Sequence, residues 1–231
     1  MNTWRKVARY QMADRFSLTA LPWAVLAINF GIYYAIAATA GRSHGSPQIP
    51  SANIAAMYLF FAIAGALAIF RSLPFALALG VGRRTYYAGT ALLAVVLAAV
   101  YGFLLAILQV IEQATDGWGV RLHFFRVAYI LAGPWYLTWL TSFVGLALLF
   151  IYGMWIGLVY RRWSLLGLLA FVAAQVIVIV TGVIITSNDH AWPAIGHFFT
   201  TLTAAGLTGL LAALTLALLA GGYTTARRVT V

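Results

Sequence analysis

The chain has 231 residues, 64% of them hydrophobic and 8% charged, where a soluble domain carries about 25% charged residues. With 14 basic and 4 acidic side chains it cannot cover a globular surface, so it reads as an integral membrane protein. The absence of cysteine excludes disulfides, thiolate metal sites, Fe–S clusters and thiol nucleophiles. The net charge of +10 is scattered between apolar runs, unlike the clustered footprint of a nucleic-acid binder.

Residues 1–17 are too polar to span a membrane. Trp4, Val7, Ala8 and Gln11 share helical spacing, while Arg5, Lys6 and Arg9 point elsewhere and Arg15 closes the segment. Two readings fit: an amphipathic helix in the interface with its bases on anionic headgroups, or a basic tail that only sets topology. Six segments then reach the length of about 20 apolar residues that a bilayer requires. They are 18–40, 51–70, 86–111, 134–160, 165–186 and 198–222. Pro134 suits the first turn of the fourth. The polar stretch 187–197, with Pro193, is expected to form a short outer hairpin.

The bases set the orientation. With the N-terminus inside, the inner segments hold Arg5, Lys6, Arg9, Arg15, Arg71, Arg83, Arg84, Arg161, Arg162, Arg227 and Arg228, and the outer ones Arg42, Arg121 and Arg126, 11 against 3. The aromatic girdles follow the same split, with Trp118, Trp135, Trp139 and Trp192 outside and Trp23, Tyr86, Tyr87, Tyr160 and Trp163 inside. The expected fold is all-α, with six transmembrane helices and both termini cytoplasmic.

Catalytic signatures are missing from the sequence. Lys6 is the only lysine and no glycine precedes it, so the chain has no Walker motif. It has no His-Glu-x-x-His, no Gly-x-Ser-x-Gly and no facing pair of membrane carboxylates. His190 and His197 could share a helical face but read as interfacial polar groups, so no metal site is expected. The chain is not expected to be an enzyme by itself. No ionisable residue falls deep in a span, which argues against a proton-coupled pump or an ion channel.

The most informative loop is 71–85. Ser72 is a candidate cap, Leu73, Pro74, Phe75, Ala76, Leu77 and Leu79 make an apolar two-turn helix, and Gly80 and Gly82 stop it before Arg83 and Arg84. Such an apolar cytoplasmic helix end would insert into a partner's groove. The competing reading continues the second span through Arg71 and Pro74 with a kink. The order of parts and the run Phe75-Ala-Leu-Ala-Leu-Gly-Val-Gly-Arg-Arg-Thr-Tyr-Tyr-Ala-Gly-Thr90 resemble the ABC-2 type permeases, membrane subunits of ATP-binding-cassette exporters.

That resemblance implies a permease that moves an amphiphilic or hydrophobic substrate outward across a bacterial cell membrane. It implies a second permease protomer, and ATPase subunits in trans that bind ATP and Mg. It makes 72–82 the coupling helix, with Phe75 and Leu77 as its docking side chains and Arg83 and Arg84 as anchors. It places Trp4, Arg5, Arg9 and Arg15 near the ATPase or the lipid surface, and suggests Asn29 and Gln175 for the substrate path. The alternatives are a self-sufficient six-span carrier or channel, and a non-transport assembly or immunity factor. Gly153-x-x-x-Gly157 permits close helix approach within one protomer or between two.

Overall fold

A computed structural model describes residues 20–40, 55–125, 134–188, 192–193, 196–197 and 203–226. The N-terminal helix expected over 1–17, with Trp4, Arg5, Arg9 and Arg15, lies outside the described residues, as does most of the expected hairpin at 187–197. Five continuous helices are long and apolar enough to cross a membrane. They are α1 (Leu21–Ala40), α2 (Ala55–Ala78), α3 (Arg83–Ala114), a run from Trp135 to Asn188, and a last helix, Ala204–Ala226.

The 54-residue run is not one rod. Straight, it would measure about 80 Å, well over twice the hydrocarbon thickness. Ser164 breaks it with φ 59° and ψ −159°. We call the two parts α4 (135–163) and α5 (165–188), and the last helix α6. The Tyr152 hydroxyl donates to Gln175 Oε1 at 2.7 Å. In a straight helix these residues would stand about 34 Å apart, so α5 folds back along α4. The break falls in the gap expected between 160 and 165, and α5 keeps Ser187 and Asn188 helical where a hairpin was expected to begin.

Ser164 occupies backbone space that is essentially reserved for glycine and costs about 1–3 kcal/mol elsewhere. Ser164→Gly should therefore stabilise the chain by about 1 kcal/mol, less than the full strain because glycine gains chain entropy on unfolding. Ser164→Val should destabilise it. Thermal midpoints in detergent check this, and equal midpoints for all three residues would show that Ser164 does not set the turn.

α4 is the hub. Its glycines let α2 approach to backbone contact: a Cβ on Gly153 would strike the Ala62 carbonyl, one on Gly157 the Ile69 side chain, and one on Gly65 the Phe150 carbonyl. Lipid tails are as apolar as leucine, so close backbone approach rather than water expulsion holds such helices together. The Gly153-x-x-x-Gly157 pair is thus used inside the protomer. α6 closes the other side of α4. Thr141 and Thr208 share a hydroxyl bond of 2.6 Å, and the Trp155 indole donates to the Leu218 carbonyl at 2.7 Å. The core runs between these helices through Phe61, Tyr101, Leu105, Leu146, Phe150 and Met154.

α1 and α5 lie at the margin and leave long apolar faces uncovered, with Ile28 63%, Leu166 81% and Val178 71% exposed. Faces of that size need lipid or another helix against them. Trp23 was expected in the inner girdle beside Tyr86. Instead its ring lies 5.5 Å from that of Tyr101, about 27 Å along α3 from Arg83. α1 is therefore shifted along the bundle, because its aromatic side chains seek Tyr101 and the cluster beyond it.

Candidate functional site

One end of the bundle gathers Arg71, Arg83, Arg84, Arg161 and Arg162, and we refer to it as the arginine end. Here α2 finishes in three steps. Its regular turns stop at Leu67, a widened π turn runs over Ala68–Ser72, and two more α turns follow over Leu73–Ala78. Leu67, Ser72 and Leu73, at the junctions, keep helical dihedral angles, and the Ser72 side chain caps nothing. The expected break and N-cap at Ser72 are corrected accordingly. Residues 72–82 are not a separate helix, because α2 continues through Pro74 and absorbs the proline in a widened turn.

The stop is sharper than the entry. Val81 N–H donates to Ala76 O at 3.0 Å and Gly80 N–H to Leu77 O at 2.9 Å, with Gly80 at φ 78°. This is a Schellman ending, in which a left-handed glycine lets the chain turn back and satisfy the last carbonyls. Gly82, extended at φ −63° and ψ 142°, then opens α3 at Arg83. The helix therefore ends at Ala78, and 79–82 is a turn.

The two final turns have distinct faces. Leu73 and Ala76 are buried, and Leu77 packs against the core cluster. Phe75 is 46% and Leu79 64% exposed, four residues apart and below exposed Arg71, also four residues away. Phe75 and Leu77 were expected to form the docking pair. Two residues along a helix span about 200°, so they cannot share a face, whereas Phe75 and Leu79 do. Arg84 is exposed and Arg83 half-buried. Both stand at the start of α3.

The expected path residues stand on α1 and α5. Asn29 spends its amide on its own helix, Nδ2 donating to Val25 O at 3.0 Å, and Gln175 is held by Tyr152. Each has a structural partner, and no hydrogen bond joins the two among the described residues.

At the opposite end the acid that closes α3 organises the loop beyond it. Glu112 is 1% exposed. Its Oε2 accepts from Phe125 N–H at 2.8 Å, Phe124 N–H at 2.9 Å and the Trp118 indole at 3.3 Å. His123 Nδ1 lies 4.0 Å from Oε1. The loop after α3 thereby folds back on its own helix end, and Phe124, Phe125 and Trp118 close around Phe30 of α1 at 5.0–6.0 Å between ring centres. The available signal was an acid ending an apolar helix just before Trp118, Phe124 and Phe125.

These features define an all-α protein embedded in a membrane by long apolar helices. No family model, curated protein or solved structure matches the chain.

Proposed function

We propose that the chain is the permease subunit of an ABC-2 type exporter in a bacterial cell membrane, with six spans and both termini cytoplasmic. It pairs with a second protomer, and ATP hydrolysed with Mg in a separate subunit drives an amphiphilic substrate outward. One observation carries this reading: the end of α2 presents Phe75 and Leu79 on one face, each partly exposed, while Leu73, Ala76 and Leu77 hold the same two turns to the bundle. A helix end fixed on one side and apolar on the other is suited to a groove on a partner. The flanking Arg71 and Arg84 suit an acidic rim. The α4–α5 reversal supports the count of six, and the uncharged faces of α1 and α5 support an amphiphilic cargo.

Phe75→Asp and Leu79→Asp would each bury an unpaired charge in the docked contact, a cost of about 3–5 kcal/mol. Either should abolish recovery of a Walker-containing ATPase with the solubilised chain, with membrane levels near wild type. Leu77→Asp should do the reverse and lower the membrane level first, since Leu77 packs inward. Wild-type recovery of the ATPase by both exposed-face variants would remove this surface as the docking site.

A further inference from the structure

The π turn near the arginine end is held from outside its own helix. Pro74 has no N–H to give the carbonyl four residues back, which is that of Phe70. Arg161 of α4 supplies the donor, its Nη2 lying 2.8 Å from that oxygen. Two residues earlier, the Tyr86 hydroxyl of α3 donates to the Ala68 carbonyl at 2.6 Å. The Tyr160 ring stands edge-on to Phe70 at 5.0 Å, and Gly157 brings the α4 backbone against Ile69. Arg161 is three residues before Ser164, where α4 reverses into α5. A single guanidinium therefore joins the stretch that ends at Phe75 and Leu79 to the turn that aims α5.

We propose that Arg161 is a positioning residue: its bond to the Phe70 carbonyl locks the 73–79 end of α2 and the 160–164 turn into one body. Displacement of the Phe75–Leu79 face then moves α5, a helix with no buried residue. Arg161 is well suited to this task because a planar guanidinium holds one carbonyl with fixed geometry and keeps its other donors for water or headgroups. Arg71, Arg84 and Arg162 are at the same end, yet among the described residues none of them bonds a backbone carbonyl. The lock is a property of the chain itself, and only its use in transmission rests on the exporter reading above.

Hydrogen exchange of the purified chain in lipid nanodiscs tests the lock without any partner. Arg161→Met should speed exchange at least tenfold in peptides covering 71–79 and 160–166, and Arg161→Lys should do so less. Pro74→Ala restores an N–H opposite the Phe70 carbonyl. The double variant Pro74→Ala/Arg161→Met should therefore return 71–79 to within about twofold of wild type while 160–166 stays fast. Unchanged exchange in Arg161→Met would overturn the proposal, and so would a double variant as fast as Arg161→Met at 71–79. If Arg161→Met fails to accumulate, accumulation of the double variant supports the lock and its failure refutes it.

In a complex with an ATPase, Arg161→Met should keep the partner but lose stimulated hydrolysis at least tenfold. Absence of any stimulating ATPase would sink the exporter reading, while the exchange measurements would still decide the lock.

Discussion

Glu112→Ala is expected to be among the most damaging single substitutions in the chain, lowering stability by about 3–5 kcal/mol. The carboxylate is almost fully buried and its Oε2 gathers two backbone N–H groups and the Trp118 indole. Alanine would leave those donors without their acceptor, beside the ring cluster of Phe30, Phe124 and Phe125. An unmade bond in such a place costs its full desolvation penalty, about 1–3 kcal/mol for each neutral donor. Glu112→Gln retains an acceptor but not the charge, and should lose about half as much. The unfolding midpoint in detergent and proteolysis within 117–125 report on the two consequences. A Glu112→Ala chain with a wild-type midpoint and a protected loop would refute the organising role.

The second large effect is expected at the contact of α2 and α4. A methyl at Gly153 would overlap the Ala62 carbonyl oxygen and stand 2.9 Å from both Ala62 C and Ala66 N. These are backbone atoms and cannot rotate away as a side-chain tip can. Gly153→Ala must push the helices apart along the stretch where Gly65 and Gly157 also fit, at about 1–3 kcal/mol for overpacking. Gly153→Leu should exceed what the chain tolerates and remove it from the membrane fraction. Gly31→Ala is the control, since nothing lies within 4 Å of the added methyl. Equal midpoints for Gly153→Ala and Gly31→Ala would show that the two helices are not packed through these glycines.

Membrane embedding, helical class and the approximate positions of the helices were legible in the sequence, because a long apolar run with 8% charge in the whole chain has no other way to satisfy its backbone. Gly80 and Gly82 likewise marked where α2 must stop, since a left-handed residue there favours glycine. Period-3.6 geometry also pairs Phe75 with Leu79, whether or not α2 runs through Pro74. Whether it continues was undecidable locally, because a proline is tolerated only when neighbouring helices supply the missing donor. Arg161 is that donor, 91 residues along the chain from the Phe70 carbonyl it serves.

Other features depended on tertiary structure in the same way. Gly153 and Gly157 announced a close approach without naming the partner, and the fit against Ala62 and Ile69 assigns it to α2. Glu112 stands at the end of an apolar span, and nothing local says that the loop beyond it folds back. Burial, and with it the value of the charge, was decided by Phe124 and Phe125 coming home to the carboxylate. Composition and period fix which residues must leave water. Which backbone groups and charges they take with them depends on contacts between distant segments, and those only the folded chain supplies.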